Sequence, residues 1–120
     1  MSSVNHPKLA RSPREFFLLL LRKRGRFRIA GNSMLPLLKP GDEVVTDLKA
    51  YENAFPRVGD IVIARHPQRS QLKIIKRVTV VLDNGDCFLQ GDNSQESTDS
   101  RMFGIVKRDR ILGKVTSRFG

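Results

Sequence analysis

Three short stretches of this chain hold residue types that could do chemistry together: Gly31-Asn32-Ser33-Met34-Leu35-Pro36, then Ile74-Ile75-Lys76-Arg77-Val78, then the polar run over 91–101. Ser33 follows an extended apolar stretch in a Gly-Asn turn, which can leave its hydroxyl exposed and its backbone amide free, as a nucleophile needs. A serine hydroxyl is nearly inert at neutral pH unless a base lies within hydrogen-bond reach. His66 is one candidate base, but His66-Pro67 sits beside Arg65 and Arg69 at the end of an expected strand, where a solvated turn is the ordinary explanation. Lys76 is the other. It interrupts a strand in which Ile74, Ile75, Val78 and Val80 create an apolar neighbourhood. Burial there disfavours the ammonium and can supply a neutral amine able to take the serine proton. Arg77 falls on the opposite face by the period of two and keeps its charge, so it is not this base. On composition alone, a Lys76 that snorkels to solvent from an edge strand is the ordinary explanation.

The third stretch reads GDNSQESTDSR. Ser, Asp, Asn and Gly are loop-forming residues, and a solvated loop accounts for the composition. The same residues could instead orient a nucleophile and a base supplied from elsewhere in the chain.

Strands have to position all three stretches. Residues 1–11 carry no periodic pattern and read as a mobile basic tail, with 12–120 as one domain. Ser12-Pro13-Arg14-Glu15 has the form of a capping box with proline at the first helical position. A helix over about 13–23 follows, ended by Gly25. Its Phe17, Leu20 and Leu21 would pack on a core, or its Arg- and Lys-flanked face would touch an anionic membrane surface peripherally. Beyond Gly25 the pattern turns extended, with strands expected over 27–30, 43–47, 60–65, 72–82, 86–90 and 110–116. Pro40-Gly41 and Asn84-Gly85 supply turn chemistry between them. The expectation is a mostly β, antiparallel, barrel-like domain carrying one N-terminal α-helix.

With 120 residues the chain can bury one core without staples. Cys87 is the only cysteine and His6 and His66 the only histidines, so no disulfide can form within the chain and no metal cofactor is expected. A reducing, cytoplasmic compartment fits. The net charge of +10 divides into +7 over 1–30, −2 over 31–100 and +5 over 101–120. Basic ends favour an anionic partner without choosing among nucleic acid, lipid and protein. A nucleic-acid-binding β-barrel is disfavoured by the lack of tryptophan and the single tyrosine, Tyr51. The longest apolar run, FFLLLL, is far short of the roughly 20 residues that cross a bilayer.

GNSMLP, IIKRV and GDNSQESTDSR resemble, in order, the serine, lysine and C-terminal loop boxes of the signal peptidase I-like serine/lysine proteases, over about residues 27–118. The resemblance implies Ser33 as nucleophile, Lys76 as general base and Ser97 as the residue orienting the lysine amine. Asp99 and Arg101 would form an ion pair beneath the site, Asp92 would help fix the loop, and Met34 would pack under the cleft. Where some members carry a serine two residues before the nucleophile, this chain has Gly31. The oxyanion would therefore rest on backbone N–H groups, that of Ser33 included. ESTDSR followed by Met102-Phe103-Gly104 most resembles the small proteases that mature nickel-type superoxide dismutase. That likeness implies removal of a short leader from a soluble precursor, with nickel belonging to the precursor and not to the protease. A membrane anchor and a second, cap-like domain are not expected. A self-cleaving repressor-type peptidase would need an Ala-Gly or Cys-Gly pair ahead of the serine, and residues 1–30 contain none.

Overall fold

Seven strands build the computed structural model, which describes residues 3–5 and 24–119. They are β1 (Ser3–Asn5), β2 (Arg24–Ala30), β3 (Glu43–Asp47), β4 (Ile61–Arg65), β5 (Lys73–Val81), β6 (Cys87–Gln90) and β7 (Ile111–Phe119). Every pairing is antiparallel, in the order β1-β2-β3-β7-β4-β5-β6. The six strands from β2 onward form an open sheet, and β1 lies along β2 while also meeting β5 through Ser3↔Ile74. The mostly β, antiparallel, barrel-like reading therefore holds. The helix expected over about 13–23 lies outside the described residues, as does most of the tail expected over 1–11. Within that tail, residues 3–5 are a paired strand.

All six expected strands form, 43–47 with the expected bounds and the other five with shifted ends. β2 starts at Arg24, ahead of the apolar signal, because its charges find partners across β3: Arg24 bonds Asp47 at 2.9 Å and Arg26 bonds Glu43 at 2.6 Å. Asn84-Gly85 does form the turn between β5 and β6, with Gly85 at φ 89° and its amide donating to the Leu82 carbonyl at 2.9 Å.

Two buried clusters explain why β4 and β5 read as nearly continuous apolar runs. One gathers Phe27, Ile29, Met34, Leu38, Val44, Ile63 and Ile75, and the other Val62, Ala64, Ile74, Val78, Cys87, Leu89, Val106 and Ile111. Neighbouring residues Ile74 and Ile75 thus serve different cores, as alternation along a strand dictates. Each such Val or Ile side chain contributes about 1.5–3 kcal/mol on burial. Lys76 falls on the face of Ile74 and Val78, so its stem enters an apolar interior.

Candidate active site

Ser33 sits at the end of the turn that leaves β2, where Gly31 adopts φ +83°, a left-handed conformation that suits glycine. Met34 anchors this turn from below, fully buried in the first core cluster. Lys76 comes up from the middle of β5, and its Nζ lies 2.9 Å from Ser33 Oγ and 3.1 Å from Ser97 Oγ. The ammonium does not snorkel out: Lys76 and Ser33 are both 0% exposed. Exposure of the serine hydroxyl, expected from the sequence, is corrected by this. The polar loop lies over the turn, with the Asn93 amide donating to the Ser33 carbonyl at 2.7 Å and the Asn93 side chain to the Asn32 carbonyl at 3.1 Å.

Asp99 organises that loop. It is fully buried, and its carboxylate accepts from Ser97 Oγ at 2.6 Å, the Gly91 amide at 2.9 Å, the Arg101 amide at 3.1 Å and the Arg101 guanidinium at 2.6 and 2.9 Å. It also caps the short helix α1 (Ser100–Phe103) through the Arg101 amide. Burial alone would raise the Asp99 carboxyl, but the bonds from Arg101, Ser97 and the two backbone amides outweigh it and hold the group well below the usual carboxylate range. Its ionised form therefore stabilises the fold above the ordinary aspartate pKa, and that stability is lost as pH falls toward the depressed value.

Proton directions follow from these contacts. Ser97 has one hydrogen, and the 2.6 Å approach to a carboxylate commits it to Asp99. Ser97 can then only accept from Lys76. A neutral Lys76, donating one N–H to Ser97, has its lone pair left for the Ser33 hydroxyl. Burial pushes Lys76 down to about 8, with the Arg101 charge acting in the same direction and Asp99 opposing. A neutral amine is thus accessible near physiological pH.

The remaining expected site residues are also placed. Arg77, on the opposite face of β5, holds Asp92 through two bonds of 2.8 and 2.9 Å and donates to the Gly59 carbonyl at 3.0 Å, so Asp92 ties the loop to the sheet. His66 is not in a solvated turn: it is buried, its Nδ1 accepts from the Gln68 amide at 3.0 Å, and its ring meets Phe103 edge-on at 4.9 Å. Burial, with the charges of Arg69 and Lys76, lowers its pKa. Two further loop residues, Ser100 and Asn93, have roles that the sequence did not assign. Ser100 is buried and accepts from the Leu89 amide at 2.8 Å, which seats the loop on β6, and Asn93 joins the loop to the serine turn. Nothing in their local sequence distinguishes them from other loop polar residues. Among the described residues, no group of three His, Cys, Asp or Glu side chains could hold a metal ion.

The signal peptidase, peptidase S26, family model matches residues 16–81 and 79–119 of this chain. The chain belongs to the signal peptidase family. It is similar to the mitochondrial ATP-independent inner membrane protease subunit 1a of Arabidopsis thaliana, 31% identical over 85% of this chain and 77% of the relative. The probable signal peptidase I-1 of Synechocystis is 28% identical over 76% and 68%, and the mitochondrial inner membrane protease subunit 1 of Schizosaccharomyces pombe 33% identical over 74% and 69%. Membership makes this chain a protease by kind. Among the described residues no helix is long and apolar enough to cross a membrane.

One glycine and two other loop positions give this signal peptidase relative testable weak points. A Cβ on Gly91 would collide with Ser97 Oγ and lie 2.7 Å from the Ser33 carbonyl oxygen, so the loop cannot keep its place over the turn. Gly91→Ala is expected to lower kcat about a hundredfold, since misplacement of a positioned group by about 1 Å costs that much; steady-state kinetics beside a thermal melt would read it. Ser97→Ala and Asp99→Asn should differ in kind. Ser97→Ala removes a contact of the lysine amine and one of the several bonds to the Asp99 carboxylate, and should reduce turnover with the smaller loss of stability. Asp99→Asn leaves Arg101 without its anion and also offers Ser97 a donor, turning the Ser97 hydrogen toward the lysine lone pair. It should therefore lose both stability and nearly all activity. Equal melting temperatures for the two variants would contradict the scaffold role of Asp99.

Proposed function

We propose that this chain is a serine endopeptidase in which Ser33 attacks the peptide carbonyl, Lys76 takes its proton, and the Ser33 backbone amide receives the oxyanion. The observation that carries this reading is the buried Lys76 amine held between Ser33 Oγ at 2.9 Å and Ser97 Oγ at 3.1 Å. In the first step the Ser33 O–H bond breaks toward Lys76 Nζ while Oγ bonds the substrate carbonyl carbon. The resulting ammonium then donates its proton to the leaving amine. Water repeats the sequence on the acyl-serine and restores the free hydroxyl.

The substrate class is read as a soluble precursor with a short N-terminal leader, the nickel superoxide dismutase precursor being the proposed case, and the compartment as cytoplasmic. What supports this is the ESTDSR-Met-Phe-Gly likeness and a single cysteine, Cys87, which is a buried free thiol. The basic residues over 1–30 would draw an acidic leader by long-range attraction. A second reading, cleavage beside a membrane, is favoured by the relatives named as inner membrane proteases. Incubating the purified chain with the leader-bearing precursor, and separately with a membrane-targeted signal-peptide substrate, decides between them by N-terminal sequencing of the products. Cleavage of the precursor alone supports leader removal; cleavage of the signal peptide alone replaces it with the second reading. Precursor cleavage should also slow as ionic strength rises from about 0.05 to 0.5 M, over which the screening length shrinks about threefold. A rate indifferent to salt would rule out electrostatic guidance.

A further inference from the structure

β1 occupies an unusual place. It pairs antiparallel with β2 in the register Ser3↔Ala30, Val4↔Ile29 and Asn5↔Arg28, and with β5 through Ser3↔Ile74. Ala30 lies three residues before Ser33, and Ile74 two residues before Lys76. The strand that carries the lysine and the strand that leads to the serine have no pairing with each other among the described residues; β1 is the strand that pairs with both. Because β1 is antiparallel to both, β2 and β5 run parallel to one another as the two walls of a slot one strand wide. The slot ends at the candidate dyad.

Such a slot has a definite chemistry. Each wall presents backbone N–H and C=O groups that demand partners, and an extended peptide main chain supplies both kinds at the required spacing. With β1 in place the chain itself supplies a partner strand at Arg28, Ile29 and Ala30 on one wall and at Ile74 on the other. The dyad is closed in the same conformation, since neither Ser33 nor Lys76 has accessible surface. A scissile carbonyl must come within about 3–3.5 Å of the attacking oxygen, which a fully covered serine does not permit.

We propose that the segment Ser3–Asn5 is an autoinhibitory strand, filling with this chain's own backbone the slot through which an extended peptide reaches Ser33. The inference rests on the peptidase reading given above. A substrate must displace the strand, so the apparent affinity for peptide falls by the fraction of molecules in which the slot is open. Three residues of pairing make a weak plug compared with a longer leader, which would bond along both walls. The docked state therefore silences the dyad toward short or poorly fitting peptides and yields to those that fill the slot.

The test uses the full chain with Ser3→Pro and Val4→Pro together. Successive backbone N–H groups of a strand point to opposite neighbours, so two adjacent prolines remove one donor toward β2 and one toward β5. Neither residue belongs to the proposed catalytic machinery. With a ten-residue leader peptide as substrate, the double variant should show a KM about tenfold lower and an unchanged kcat. On a Ser33→Ala background, a fluorescein-labelled copy of that peptide should bind about tenfold tighter to the proline form by anisotropy. The synthetic peptide of residues 1–8 should inhibit the double variant competitively and the wild type more weakly, a measurement that needs no altered strand in the wild type. Equal KM and Kd in the two forms, or no competition by the peptide, overturns the proposal. So does Ser33-dependent loss of residues 1–5 from the intact chain by mass spectrometry, which would make the strand a substrate. If no form cuts any peptide, the peptidase reading falls, while anisotropy and competition still decide whether the strand fills a peptide slot.

Discussion

Ser33→Ala is expected to remove peptide-bond cleavage, with kcat falling by roughly 10⁴–10⁶-fold, as loss of a nucleophile does in serine peptidases. The fold should survive. The lost hydroxyl is one of two contacts of Lys76 Nζ, and Ser97 remains at 3.1 Å, so stability should change by less than about 1.5 kcal/mol. Thermal melts and active-site titration on the same preparation separate the two effects. Wild-type turnover in the pure variant would remove Ser33 from the mechanism, and a collapsed melt would show that its burial serves packing.

The second large effect concerns Lys76. Its amine is pushed down to about 8 by burial, so the neutral fraction should rise tenfold per pH unit below that value and level off above it. kcat/KM should follow the same curve. Lys76→Arg should be as inactive as Lys76→Met, because a guanidinium supplies no neutral base at any usable pH. The two variants should part in stability: arginine forces a permanent charge into an apolar interior, whereas methionine relieves the burial of the ammonium. The linkage has a definite sign. In the unfolded chain Lys76 holds its proton up to about 10.4, so between roughly pH 8 and 10.4 the unfolded state binds more protons. Stability of the wild type relative to Lys76→Met should therefore rise with pH across that window. A rate profile set by a histidine-like group and abolished in His66→Ala would transfer the base to His66.

The strands were legible because Val and Ile alternate or cluster in them, and burial on both faces of β4 and β5 is what their continuous apolar runs encode. Less legible were elements whose stability comes from partners far along the chain. The charged start of β2 depends on Asp47 and Glu43, and β1 is too short for any periodicity to show. The site was legible only in part. Turn chemistry and an apolar strand brought out Ser33 and Lys76 as candidates, while Ser97, Asp99, Arg101 and Asp92 came from likeness to a family, since composition alone allowed a snorkelling lysine and a solvated loop. What decides against those readings is the meeting of residues 43 and 21 apart in sequence, which depends on topology. His66 failed for the same reason: the ring of Phe103 that covers it is distant in the chain.

Gly91 has a consequence for anyone who would move this chemistry to another scaffold. Grafting the serine, the lysine and the orienting hydroxyl would reproduce the distances on paper, yet the loop can lie over the serine turn only because residue 91 lacks a Cβ. The portable unit is accordingly two backbones in near contact, fastened by the Asn93 amide, with the three reactive side chains as passengers. A transplant that kept the passengers and relaxed the backbones would carry a lysine close to a serine and little else.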